Sequence, residues 1–519
     1  MPRNQSRISA SSSIIALLAI GNVILIRESY FSGQPWFVLL VALPLLLLAI
    51  YNRIQKKHAV LRNYPVIGYF RYLSEKIRPE IRQYFFESDL DGRPFNRRQR
   101  SIVYQRAKNE KQTVAFGMQA DPDQPGFEWL AHSLYPATVQ EKDLRVWIGN
   151  HQCSQPYHAS ILNIGAMSYG ALSKTAVESL NEGARIGSFA HNTGEGGISD
   201  YHLKGGDLIW QIGTGYFGCR DVGGNFSDDL FRENALRPQV KMIELKLSQG
   251  AKPGHGGILP ASKNTEEIAA IRNVQPNTTV ASPPAHSAFS NAEEMIWFIA
   301  KLRKLSGGKP VGFKLCIGNT KEFREICRAM IATGILPDFI TIDGAEGGTG
   351  AAPLEFTDHL GMPLHDALAF ATRTLEEFDL KDGIRLLASG RLITGFDILK
   401  TLSLGADAVY SARGMMFALG CVQALQCDSG KCPAGVATQD PKLYKGIDIT
   451  DKKQRVANFH GNTIKAVVEL MEACGFKTLS DVTAEKFFRK TDALTTRSFA
   501  DIYNLHETAI ANSKHSLLN

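Results

Sequence analysis

Three cysteines near the end of the chain, Cys421, Cys427 and Cys432, carry the first chemical signal. They stand in the run Gly-Cys-Val-Gln-Ala-Leu-Gln-Cys-Asp-Ser-Gly-Lys-Cys-Pro, a C-x5-C-x4-C spacing closed by Pro433. Cysteine sulfur is the usual soft ligand for iron, and three thiolates this close can hold a small iron–sulfur cluster. The plain alternative is three small buried thiols, because cysteine is among the most buried residue types. Five further cysteines (Cys153, Cys219, Cys316, Cys327 and Cys474) are scattered singly and make no disulfide framework. That usage fits a reducing compartment.

A second set of residue types needs a scaffold to bring it together. From about residue 160, short apolar runs alternate with helical stretches, which implies a parallel sheet. The expected strands are Ile161–Met167, Ser188–Thr193, Met242–Ser248, Thr279–Pro283, Val311–Cys316, Asp338–Gly344, Ile384–Gly390 and Ala408–Gly414. Eight strands over roughly 250 residues predict an α/β fold of the (β/α)8 barrel type. A doubly wound open sheet is the alternative, but no G-x-G-x-x-G follows an early strand.

Barrel enzymes keep their sites at the C-terminal ends of the strands. Those ends here read Met167-Ser168-Tyr169-Gly170, Asn192-Thr193-Gly194-Glu195-Gly196-Gly197, Gln249-Gly250-Ala251-Lys252-Pro253-Gly254, Asp343-Gly344-Ala345-Glu346, Ser389-Gly390-Arg391 and Ala412-Arg413-Gly414. Glycines let backbone N–H groups approach an anion closely. Gly348-Thr349-Gly350, Gly390-Arg391 and Arg413-Gly414 are therefore expected to cradle a phosphate. Lys314 would lie inside the mouth, where it could offset negative charge on a reduced flavin. The bland reading is a set of ordinary tight turns and a rim lysine.

Hydrophobic residues make up 44% of the chain and charged ones 21%, which excludes a disordered protein. The net charge of +7 is concentrated, since residues 52–111 hold 15 Lys/Arg against 6 Asp/Glu. No groove-reading motif accompanies it, so no nucleic-acid partner is expected. Two apolar runs, Ile8–Ile26 and Trp36–Tyr51, approach the ~20 residues a membrane-spanning helix needs. Tyr30, Trp36 and Tyr51 are placed like interfacial anchors. Arg3 and Arg7 precede the runs and Arg53, Lys56, Lys57 and Arg62 follow them, which predicts a hairpin in the cytoplasmic (inner) membrane with both ends inside. A cleaved signal peptide competes, but no small-x-small site follows the first run. The expected organisation is a membrane hairpin over 1–60, a basic helical docking region over 61–150, the barrel with the cysteines over 151–475 and a helical tail over 476–519. The basic region is expected to face anionic lipid.

These motifs resemble the flavin domain of glutamate synthase and its stand-alone relatives. The resemblance rests on Met-Ser-Tyr-Gly-Ala-Leu-Ser (167–173), Asn-Thr-Gly-Glu-Gly-Gly (192–197), Gln-Gly-Ala-Lys-Pro-Gly (249–254), Gly-Gly-Thr-Gly-Ala-Ala-Pro (347–353) and the cysteine run into Pro-Ala-Gly-Val-Ala-Thr-Gln (433–439). It implies an FMN-binding barrel with a [3Fe–4S] cluster on the three cysteines. By the resemblance, Met167, Ser168, Gln211, Lys314, Gly348, Thr349, Gly350, Gly390, Arg391, Arg413 and Gly414 contact FMN. Glu195 lies near the flavin ring, and Lys246, Lys252 and Arg272 surround an oxo-diacid. Surface salt-bridging is the plain alternative for these three cations. The chain departs from the family at Ile258, where glutamate synthase has a Gln, at His255, where it has a Glu, and at Pro283-Pro284-Ala285-His286. Loss of a polar anchor puts 2-oxoglutarate itself in doubt. No glutaminase or NAD(P)H-binding domain is recognisable, so ammonia and electrons are expected from outside partners.

The leading expectation is a membrane-anchored FMN oxidoreductase acting on CH–NH2 donors in glutamate biosynthesis. It would take electrons through the cluster from an unidentified carrier and reduce an imine or 2-oxo acid. Two alternatives stand beside it. One is a flavin dehydrogenase that oxidises a small amino or hydroxy acid toward quinone. The other is a non-catalytic flavoprotein relay subunit.

Overall fold

The computed structural model describes residues 10–32, 36–110 and 112–505. They fall into two compact units, one up to Gly92 and one from Arg93 onward. Arg3, Arg7, the turn at 33–35 and the end of the expected tail lie outside the described residues, as does the Trp36 side chain.

In the first unit, α1 (Ala10–Ser32) and α2 (Trp36–Ile54) are long and apolar enough to cross a membrane. Asn22 links them, its Nδ2 donating to Leu18 O at 2.8 Å and to Ala42 O at 3.1 Å. Tyr30 and Tyr51 are exposed. Short helices at Ala59–Asn63 and Gly68–Ile81 follow, the latter running into a π-turn at Arg82–Phe86.

The second unit is built on eight parallel strands: β1 (Leu162–Ile164), β2 (His191–Asn192), β3 (Leu208–Ile212), β4 (Val240–Lys246), β5 (Val311–Leu315), β6 (Phe339–Asp343), β7 (Arg385–Ser389) and β8 (Ala408–Ser411). Each pairs with the next in sequence and β8 pairs with β1, so the sheet closes into a barrel. Period-2 alternation sends every second side chain inward. The inward residues form layers. Ile209, Met242, Phe339, Leu387 and Ala408 pack the lower end beneath Ile148. Asn192, Gln211, Glu244 and Thr341 make a polar middle layer, and Lys246, Lys314 and Asp343 stand at the mouth.

Three expectations need correction. Thr279–Pro283 is not a barrel strand: Val280–Ala281 pairs antiparallel with Ile258–Leu259 in a separate small sheet, and Pro283 and Pro284 offer no N–H to extend a ladder. Its place in the barrel belongs to β3, five buried residues between glycine-bearing turns. The tail from 476 is only partly helical: beside the short helix Phe499–Tyr503, Phe487–Lys490 and Thr496–Ser498 form a three-stranded sheet with Glu128–Leu130. The compact units divide at residues 92 and 93 rather than at 60 and 150, because α3 (Arg97–Ala107) packs on the barrel unit.

Outside the barrel, α4 (Lys174–Gly187) and α5 (Ile449–Ala473) make the most extensive helix pair. Gly183 permits it, since a Cβ there would come within 2.6 Å of Val456 Cγ1. At the lower rim, buried Asp338 accepts from Asn150 N at 2.9 Å, Val311 N at 2.8 Å and Arg303 Nε at 3.0 Å. Removing one member of such a buried pair strands the other charge. Asp338→Ala is expected to cost about 3–5 kcal/mol in urea unfolding. A loss within ~0.5 kcal/mol would show that the rim does not depend on this pair.

Candidate functional site

The barrel mouth opens into a cavity of about 740 Å³. That is within the range of small-molecule and cofactor sites. Its walls bring together the strand-end loops and the cysteine loop, although these segments are far apart in sequence.

On one side stands a charged cluster. Glu195, on the loop after β2, is clasped by two glycines: a Cβ on Gly213 would overlap its Oε2, and one on Gly257 would lie 2.9 Å from Oε1. Lys246 Nζ, at the end of β4, donates to Glu195 Oε1 at 2.8 Å and to Gln249 Oε1 at 2.5 Å. Arg272 ends the helix Glu266–Arg272, where its Nη2 donates to Tyr169 O at 3.0 Å. Its guanidinium lies 5.0 Å from the Phe217 ring, and its buried Nε has no hydrogen-bond partner. Lys252 completes the group, and all three cations are buried, which overturns surface salt-bridging for them.

Burial disfavours a charged Glu195, but Lys246, Arg272 and Lys252 outweigh it and hold the carboxyl below its usual value. Burial lowers Lys252, with Lys246 pushing the same way. Burial brings Arg272 down to about 10, against the pull of Glu195. Three cations thus face one carboxylate.

Deeper in the mouth, Lys314 Nζ lies 3.4 Å from Asp343 Oδ2, which also accepts from Gly250 N at 3.0 Å. Burial would strip the Lys314 proton, but Asp343 and then Glu244 hold it above the usual lysine value. Gln211 Nε2 donates to Glu244 Oε1 at 2.6 Å and borders the same cavity.

The same cavity is bordered by Gly347, Gly348, Thr349, Gly350, Ala351, Ala352, Ser389, Arg391 and Arg413 and by Met167 and Ser168, the last lying beside Gly196 near Arg272. Arg413 Nη2 donates to Glu346 O at 2.7 Å, and its guanidinium lies 4.8 Å from the Phe95 ring. A Cβ on Gly348 would come within 2.8 Å of Arg413 Nε, so a side chain there would displace the guanidinium. Burial and Arg391 lower Arg413 to about 10. Two arginines beside an open glycine loop fit the phosphate of a flavin nucleotide. Gly390 and Gly414 do not line the cavity. A Cβ would press on Leu364 at the first and on Ser411 at the second.

Cys421, Cys427 and Cys432 line the cavity together. Among the described residues, no three His, Cys, Asp or Glu groups converge on a point that would hold a single metal ion. A cluster asks for something else, one thiolate for each of several irons, and three thiols on one wall fit that donor set. Burial pushes the Cys421 thiol up to about 12 and raises Cys427 as well, so an entering metal must displace protons. Two residues that the sequence did not single out organise this loop. Buried Lys263 donates to Cys427 O at 2.6 Å, and Cys427, Asp428 and Cys432 partly offset the lowering of its pKa by burial. Gln423 accepts from Phe95 N at 3.2 Å and donates to Phe95 O at 3.0 Å. Lys263 stands in no motif and Gln423 lies inside the cysteine run without being one of its ligands, so only the folded loop reveals their role.

The chain is similar to known proteins over most of its length. The family model described as "Conserved region in glutamate synthase" matches residues 130–477. The chain is 39% identical over 500 residues to the glutamate synthase large subunit-like protein YerD of Bacillus subtilis (strain 168), covering 87% of this chain and 94% of that protein. It is 33% identical over 371 residues to the archaeal glutamate synthase (NADPH) of Methanocaldococcus jannaschii, covering 70% and 68%. It is 32% identical over 369 residues to the ferredoxin-dependent glutamate synthase 2 of Synechocystis, covering 64% of this chain but 22% of that protein.

A carboxyl lowered in the folded state stabilises that state above its unfolded pKa, and the contribution fades as pH falls through the folded value. The stability gap between the native chain and Glu195→Gln is therefore expected to be widest near neutrality and to close below about pH 4. Parallel thermal melts across that range check it. A gap independent of pH would show that the carboxylate charge contributes nothing.

Proposed function

This chain belongs to the glutamate synthase family, and from that premise we propose that it reduces an imine formed from a 2-oxo dicarboxylate, using FMN and an iron–sulfur cluster. Membership makes it a glutamate synthase-like oxidoreductase. The observation that carries the finer reading is the excess of cations around Glu195: Lys246, Lys252 and Arg272, with the buried Arg272 Nε unpartnered. Two positive charges without a counter-charge suit a dianionic substrate, and a guanidinium offers a carboxylate two parallel donors.

Bound in the mouth, FMN supplies hydride chemistry and a [3Fe–4S] cluster supplies single electrons. The chain supplies the rest. The Gly348–Gly350 loop, Arg391 and Arg413 hold the flavin phosphate, and Met167, Ser168 and Gln211 border its ring system. Lys314 keeps its proton and offsets negative charge deep in the mouth. Glu195 is ionised at neutral pH, so it orients Lys246 rather than giving up a proton. Lys252 has the lowered ammonium, which makes it the better proton donor to the substrate nitrogen. Cys421, Cys427 and Cys432 hold the cluster, with Lys263 close enough to offset thiolate charge. Ile258, 51% exposed on the same wall, gives the far end of the substrate an apolar neighbour. Ile258 counts against 2-oxoglutarate, but the two excess positive charges suit a dianion and make it the first substrate to try.

Electrons and ammonia come from outside, the relatives being named for NADPH and for ferredoxin. The apolar helices α1 and α2 anchor the chain in the cytoplasmic membrane with the barrel on the inner side. They also favour a second reading, in which a small amino or hydroxy acid is oxidised and electrons leave toward quinone.

Anaerobic purification in detergent, with FMN and iron quantified, tests the cofactors. About three irons per chain are expected, falling in Cys427→Ser with FMN retained. Lys252→Ala and Arg272→Ala are each expected to lower kcat/KM for 2-oxoglutarate plus ammonia by about 10–100-fold. Unchanged turnover with FMN still bound would overturn the substrate site. Turnover of an amino acid only with a quinone analogue would select the second reading.

A further inference from the structure

Among the described residues, nothing packs over the apolar side of the helical segment Gly68–Phe86. Every residue from Tyr69 to Phe86 is exposed except Ser74 and Gln83, which are partly covered. Phe70, Leu73, Ile77, Ile81, Tyr84 and Phe85 recur at spacings of three and four, which places them on one face. That face is unusually bare: Phe70 is 73% exposed, Phe85 81% and its neighbour Phe86 78%. Arg71, Arg78 and Arg82 recur at the same period and line one edge of the stripe. An isolated helix of this length is marginal in water, so the stripe calls for a covering medium.

The sequence around it says which one. The stripe follows directly on two helices long and apolar enough to cross a membrane, in the same compact unit. It also lies within residues 52–111, where 15 Lys/Arg stand against 6 Asp/Glu. Aromatic rings beside long cationic side chains match the boundary between acyl chains and headgroups, with the arginines reaching outward to anionic groups. We propose that Gly68–Phe86 lies in the plane of a bilayer surface, with Phe70, Leu73, Ile77, Ile81 and Phe85 among the acyl chains and Arg71, Arg78 and Arg82 on anionic headgroups. This does not rest on the catalytic reading.

Hydrogen exchange of the full chain tests it, in nanodiscs of phosphatidylcholine alone and of phosphatidylcholine with phosphatidylglycerol. Exchange across residues 68–86 is expected to be slower with phosphatidylglycerol, by about tenfold or more. The combined variant Arg71→Gln/Arg78→Gln/Arg82→Gln should lose that difference, and Phe70→Ser/Phe85→Ser should speed exchange in both lipids. None of these residues belongs to the barrel mouth, so the rest of the exchange map reports whether the variants fold. Equal exchange in the two lipids overturns the proposal, as does protection that follows protein concentration at fixed lipid, which would assign the face to a second copy.

Discussion

Glu244 is buried halfway up the barrel, where a carboxyl group has no water to turn to. Three donors from three other strands meet it: Asn192 Nδ2 at 2.8 Å, Gln211 Nε2 at 2.6 Å and Thr341 Oγ1 at 2.7 Å. A buried polar group of this kind is tolerable only when it is fully bonded. The constraint reaches in both directions. Below it the barrel can be filled with apolar side chains, with Gly312 leaving room for Phe339. Above it the negative field helps Lys314 keep its proton, which lets a lysine stand deep in the mouth. The middle layer is thus the step between a hydrophobic floor and a charged opening.

The opening itself is divided by charge and by backbone. The cations gather about Glu195, and only the absence of side chains at Gly213 and Gly257 leaves room for its carboxylate against Lys246. A glycine loop lies against Arg413, whose guanidinium is stacked on Phe95. The cysteine loop borders the same cavity, held by Lys263 on Cys427 O and by Gln423 on Phe95.

Much of this was legible in the residues, and what was not has physical causes. The strand ends announce themselves because glycines, charges and short apolar runs coincide there, as at Asn192–Gly197. β3 was hidden because Leu-Ile-Trp-Gln-Ile is brief and bracketed by turns, whereas Thr-Val-Ala-Ser carries equal strand preference and pairs elsewhere. The sheet joining Glu128–Leu130 to Phe487–Lys490 depends on contacts more than 350 residues apart, which no local pattern encodes. Lys263 looked like any loop lysine until the cysteine loop closed over it.

Phe95 has a consequence for how the chain can be trimmed. Arg93, Pro94 and Phe95 line the cavity, Phe95 holds both ends of the Gln423 amide, and Asn96 caps α3. The catalytic unit therefore begins almost at its first residue with functional wall. Anyone wishing to work without the apolar helices has a narrow cutting window: a chain started at or before Arg93 keeps the wall and the cap. One started a few residues later would still carry all eight barrel strands yet leave the cysteine loop without its brace.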